Sequence, residues 1–111
     1  MFWKKDAAAW PGPVEIDAAE VGARPGRGEI ALVDVREPNE IAAERIPGAI
    51  SVPLSQFDPA ALPKGVVVLT CLGGKRSAMA LAKCRSAGVP VNMQKRGGLT
   101  AWKAAGLPTV R

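Results

Sequence analysis

The chain reads as a single α/β domain built around a parallel sheet. Short apolar runs alternate with helical stretches along its length, and one of those runs, Val66-Val67-Val68-Leu69, is apolar throughout, as a strand covered on both faces must be. At 111 residues there is enough chain for one core and too little for two, and an apolar fraction of 48% is that of an ordinary globular protein.

Strands are expected at 14–16, 30–35, 49–52, 66–70 and 91–93, with helices filling the gaps. Asp17 is placed to cap a helix over 18–23, and Pro38 suits the first turn of a helix over 39–43. Asp58 and Pro59 open a short turn running to Leu62. Ser77 is placed to cap a helix over 78–87 that Gly88 closes, and a last helix over 99–105 is closed by Gly106 and Pro108. Residues 1–13 read as an N-terminal extension to a domain over 14–109, because they hold Trp3 and Trp10 and end in Pro11-Gly12-Pro13. Packing of that extension on the domain's own face is the expected role, with a flap or partner surface as the alternative.

Fifteen basic residues against ten acidic give a net charge of +5, yet the basic residues are scattered, without a run or interleaved aromatics. A small anionic substrate fits this better than nucleic acid. There is no histidine, which removes Cys-His and Ser-His catalysis, and the two cysteines, Cys71 and Cys84, lack metal-site spacing. No metal or cofactor is expected. No apolar stretch is long enough to span a membrane and the start lacks a signal peptide's apolar segment, so a reducing cytoplasm is the expected location.

The chemistry concentrates at Thr70-Cys71-Leu72-Gly73-Gly74-Lys75-Arg76-Ser77. A buried strand that ends in a glycine-containing loop and opens a helix points backbone N–H groups and the positive helix terminus at one spot. A free thiol titrates near about 8.5 and such surroundings lower it, so Cys71 is expected to be largely a thiolate, with Lys75 and Arg76 assisting. Cys84, further along the same helix, lies too far away for a disulfide and reads as a core residue.

Over roughly 14–109 the chain resembles a single-domain rhodanese, a sulfurtransferase. The resemblance rests on Leu32-Val33-Asp34-Val35-Arg36-Glu37-Pro38, on Ile46-Pro47-Gly48-Ala49-Ile50, on the loop from Cys71 to Ser77, and on Gly97-Gly98-Leu99-Thr100-Ala101-Trp102. It implies a three-layer fold whose five-stranded parallel sheet has the order 1-5-4-2-3 with helices on both faces. It implies that Cys71 takes a sulfane sulfur from thiosulfate, or from a persulfide donor that could be a protein, and passes it to a thiol or cyanide. Leu72, Gly73, Gly74, Lys75, Arg76 and Ser77 then bind the substrate, the two glycines letting the backbone curl without clash and the two cations steadying thiosulfate and the departing sulfite. Asp34 and Arg36 support the site, chiefly through an internal Asp34–Arg36 or Arg36–Glu40 hydrogen-bonded scaffold, Gly97 and Gly98 let the last loop approach Cys71, and Trp102 belongs to the core.

Two departures from the family pattern stand out. Glu44-Arg45 replaces Gly-His, and Lys95-Arg96 stands where an apolar residue usually precedes the Gly-Gly pair. Both are expected to make a more basic rim, serving thiosulfate or an acidic partner. A sulfur carrier loaded by a donor protein is the alternative function. Phosphatases and arsenate reductases share the fold, but their arginine follows the cysteine one position later than Arg76, and the tighter loop here suits one sulfur atom better than a tetrahedral phosphate.

Overall fold

The computed structural model describes residues 10–23 and 30–111. Five strands, β1 (Val14–Ile16), β2 (Ala31–Asp34), β3 (Ile50–Ser51), β4 (Val67–Thr70) and β5 (Met93–Lys95), form one sheet in the order β1-β5-β4-β2-β3. Every pairing is parallel. This is the order that the resemblance implies.

The alternation of side chains along the strands fills two cores. Val33, Val35, Val67, Leu69 and Cys71 point to one face, where helix α3 (Lys75–Ser86) covers them with Ala80, Leu81 and Cys84. Leu32 and Val68 point to the other, against Ala18 and Val21 of α1 (Ala18–Gly22) and Leu99 and Trp102 of α4 (Gly98–Ala104). All four residues of β4 are buried, so both faces of its apolar run are needed; truncating Leu69 to Ala would cost about 2–5 kcal/mol. Helix α2 (Pro38–Ala43) buries none of its residues and sits after β2 at the carboxyl end of the sheet.

The elements differ from the sequence expectation mostly by a residue at each end, with two informative exceptions. Strand β5 covers 93–95 rather than 91–93. Before it, the Val91 carbonyl accepts the Trp10 indole N–H at 3.3 Å, and the Asn92 amide donates to the Gly12 carbonyl, so the chain enters the sheet only at Met93. The pattern misled because Gln94 and Lys95, although polar, are buried. Helix α3 starts at Lys75, with Gly74 as its N-cap, and Ser77 lies inside the first turn rather than capping it. Asp17 holds the N-cap position of α1 without a capping hydrogen bond, its carboxylate being paired with Arg96 at 3.2 Å.

Of the N-terminal extension, Met1 to Ala9 lie outside the described residues. Trp10 packs on the domain itself, with the Arg85 guanidinium 5.6 Å from its ring centroid.

Candidate active site

Strand β4 carries the chain straight into Cys71, and Gly74 turns it into α3. That turn requires glycine, because Gly74 has φ +111°, a region other residues enter with strain. Gly73 makes no such demand: its φ is ordinary and an added Cβ would meet nothing. The result is a cup of backbone closed over the sulfur.

Cys71 Sγ accepts the Gly74 N–H at 3.0 Å and lies 3.6 Å from the Ser77 hydroxyl. Ser77 is itself held by the Gly74 carbonyl at 3.1 Å and the buried Gln94 side chain at 2.5 Å. Burial is the largest influence on the thiol and pushes its pKa up. The Ser77 N–H and hydroxyl and the N–H groups of Gly74 and Arg76 together outweigh it, and the net shift is downward. The downward shift comes from the backbone N–H groups that the strand-loop-helix pattern points to and from a hydroxyl, ahead of the two cationic side chains.

Those cations sit elsewhere. Lys75 is exposed at the start of α3. The Arg76 guanidinium is forked onto Glu40 at 2.6 and 2.9 Å, tying the first turn of α3 to α2. This fork, followed by burial acting in the opposite sense and the Glu37 N–H, holds the Glu40 carboxyl down to about 2. Arg76 thus faces the sulfur with its N–H while its side chain braces the frame. Leu72, at the tip of the loop, is half exposed.

Asp34 and Arg36 form the scaffold expected of them. Both are buried; Arg36 donates Nε and Nη2 to the Asp34 carboxylate at 2.8–3.1 Å and Nη2 to the Glu44 carbonyl at 2.9 Å, holding the end of α2. Gly98 permits the close approach expected of it, since a Cβ there would lie 2.4 Å from the Cys71 and Leu72 carbonyl oxygens, and the Leu99 N–H donates to the Cys71 carbonyl at 2.8 Å. Gly97 has a local reason instead: φ +70° and Ala101 Cβ 2.6 Å from an added Cβ. Trp102 is core, its indole N–H given to the Pro108 carbonyl at 2.7 Å.

Of the expected basic rim, Lys95 is turned inward, while Arg45 and Arg96 stay exposed. Glu44 holds Lys103 and Thr109 at 2.9 and 2.6 Å, and Arg45 pairs with Val110 in an antiparallel bridge, so both serve the tail. Arg96 is exposed but paired with Asp17, and Lys95 is fully buried with its ammonium donating to the Gly98 carbonyl. Sequence reasoning sets Glu40 beside Arg36, where the Glu40 carbonyl accepts from Arg36 at 3.4 Å, but misses its fork with Arg76, and it misses Gln94 and the inward direction of Lys95. Only Lys95 left a signal, by standing at a position where the pattern expects an apolar residue.

The rhodanese-like domain family model matches residues 17–105. The chain belongs to the rhodanese-like family. Among proteins similar to this rhodanese-like domain, a sulfurtransferase from Allochromatium vinosum is 38% identical over 100 residues, covering 86% of this chain and 94% of the relative. An uncharacterized protein from Synechocystis is 49% identical over 85 residues, 74% of this chain; the chain spans about half (48%) of that relative's length. Among solved structures, the thiosulfate sulfurtransferase from Pseudomonas aeruginosa superposes with a TM-score of 0.72 at 30% identity, covering 91% of this rhodanese-like domain and 20% of that chain. Among the described residues, no helix is long and apolar enough to cross a membrane.

Proposed function

We propose that this rhodanese-like domain, working as the unit 14–109, transfers a sulfane sulfur from thiosulfate through a Cys71 persulfide to a thiol or cyanide. The observation that carries this reading is the ring of N–H groups around one buried sulfur, those of Gly74, Arg76 and Ser77, with the Ser77 hydroxyl beside it at 3.6 Å. The Cys71 thiolate attacks the outer sulfur of thiosulfate; the new S–S bond forms as the old one breaks, and sulfite leaves with the electron pair. The negative charge now rests on the terminal sulfur of the persulfide, which takes over the loop's N–H donors. Attack on that sulfur by cyanide or a thiolate forms thiocyanate or a new persulfide and returns the Cys71 thiolate. No proton moves in the cycle, which is why a site without histidine suffices. A reducing cytoplasm suits such a thiolate.

The Arg76–Glu40 fork weighs against phosphoryl chemistry on this fold. An arginine that must grip two oxygens of a phosphate has both of its donor arms engaged by a carboxylate instead.

The purified chain should form thiocyanate from thiosulfate and cyanide, and Cys71 should gain the mass of one sulfur when thiosulfate alone is added. Labelling that requires a persulfide donor protein would replace the enzyme with a carrier. Hydrolysis of an aryl phosphate at a rate matching sulfur transfer would overturn the assignment.

A further inference from the structure

Among the described residues, three charged side chains are fully buried: Asp34, Arg36 and Lys95. Asp34 and Arg36 neutralise each other through their fork. Lys95 has no carboxylate in contact; its ammonium meets the Gly98 carbonyl and lies 5.7 Å from the Trp102 ring centroid. A lone ammonium away from water either gives up its proton or finds a counter-charge. With Cys71 as a thiol the buried groups sum to one positive charge. With Cys71 as a thiolate they sum to zero.

The two stand at the same carboxyl end of adjacent strands, Cys71 on the α3 face and Lys95 on the Trp102 face. Lys95 ends β5, one step beyond the Gln94–Leu69 pair that aligns it with β4, and Cys71 follows directly after β4. The residue whose carbonyl the ammonium grips, Gly98, is packed against the carbonyl groups of Cys71 and Leu72. We infer that Lys95 is a positioning residue for sulfur transfer, its buried ammonium acting as the fixed counter-charge of the Cys71 sulfur anion in both the thiolate and the persulfide. The inference rests on Cys71 being the reacting sulfur.

Burial pulls the Lys95 pKa down to about 8, while the Cys71 anion first and Asp34 second pull it back up. The remaining charged groups on the elements packed around it are otherwise engaged. Glu15 and Asp17 beside β1 hold the exposed Arg96, Lys103 of α4 holds Glu44, Glu40 holds Arg76, Arg36 holds Asp34, Glu20 lies on α1, and Lys75 is exposed on α3. On this inference Cys71 and Lys95 titrate as a coupled pair. An uncharged Lys95 above about pH 8 would leave the thiolate without its partner.

The test needs no sulfur donor, so its failure is separate from failure of the sulfurtransferase reading. The rate of Cys71 alkylation by iodoacetamide, followed peptide by peptide with mass spectrometry, is measured against pH in the native chain and in Lys95→Met. The midpoint should rise by about one unit in the variant, a roughly tenfold loss of thiolate near neutral pH. An unchanged midpoint in folded Lys95→Met overturns the inference. Should that variant not fold, the reciprocal measurement decides: the Lys95 ammonium is titrated by NMR in the native chain and in Cys71→Ser. Linkage requires its midpoint to fall when the anion is removed; an identical midpoint in both overturns the inference.

Discussion

Cys71 and Cys84 are both almost fully buried in the same core, at 1% and 0% exposure, yet their thiol pKa values move in opposite directions. Cys84 faces Ala80, Leu81 and β4 inside α3, and burial alone pushes its thiol up to about 11. Cys71 bears comparable burial and still moves down, because N–H groups and a hydroxyl converge on it. Depth inside the protein does not make a sulfur inert or reactive. The direction of the nearest dipoles does.

The sharpest way to break this contrast is to exchange the sulfurs for oxygen. Cys71→Ser should abolish thiosulfate-dependent thiocyanate formation with circular dichroism unchanged, because a serine hydroxyl does not ionise in the neutral range. Cys84→Ser should keep the activity and lose about 1–3 kcal/mol of stability to denaturant, as a hydroxyl is buried among apolar neighbours. Loss of activity in both would mean a two-thiol mechanism.

Next in size is Gly98→Ala. Its Cβ would collide with the Cys71 and Leu72 carbonyls, so the cup must shift, and a displacement of about 1 Å lowers turnover on the order of a hundredfold. The same substitution at Gly73, where the added methyl meets nothing, should be mild by comparison in the same assay.

Ser77→Ala removes the hydroxyl beside the sulfur and should raise the alkylation midpoint of Cys71, with a several-fold fall in thiolate near neutral pH if that hydrogen bond is worth about 1 kcal/mol. Should the midpoint stay fixed, the N–H groups alone set the contrast with Cys84.

The frame around the cup can be probed through acid. The Glu40 carboxyl titrates near 2 when folded against an ordinary 4.5, so its contribution is complete above the ordinary value and is lost as pH falls through the folded one. Glu40→Gln should lower the melting temperature at neutral pH, by a loss of about 1–2 kcal/mol at this partly exposed pair, and flatten the decline of stability in that acid range. A decline as steep as the parent's would assign acid sensitivity to other carboxylates. The smallest effect is expected at Lys75→Ala. An exposed cation steers thiosulfate through a screened field, so use of thiosulfate should fall by about twofold to fivefold at low salt and the difference should vanish at high salt.

Much of this was legible in the chain itself, where the legible parts were local. The apolar run of β4, the cysteine after it and the glycines that follow are neighbours in sequence, and local rules for strands and turns read them, although the helix opens three residues before the expected 78. Gly97-Gly98 was legible as a close approach, though only the coordinates tell which of the two meets the loop. What stayed hidden were the long-range partners of the charged side chains. Arg76 meets Glu40 from 36 positions away and Glu44 meets Thr109 from 65, so no spacing rule could divert these residues from the roles their charges suggested. Lysine is usually exposed, so Lys95 reads as rim; its position, an inward-facing slot on β5, outweighs its chemistry.

The contact at Gly98 has a consequence for anyone wishing to transplant this chemistry. Copying residues 70–77 into another sheet would carry the cysteine and its glycines without the wall that shapes them, for the Cys71 and Leu72 carbonyls are held by the N–H groups of Leu99 and Thr100 at 2.8 and 3.0 Å. The portable unit is two segments from distant parts of the chain, the loop after β4 and the stretch from Lys95 to Thr100, grafted in their mutual register.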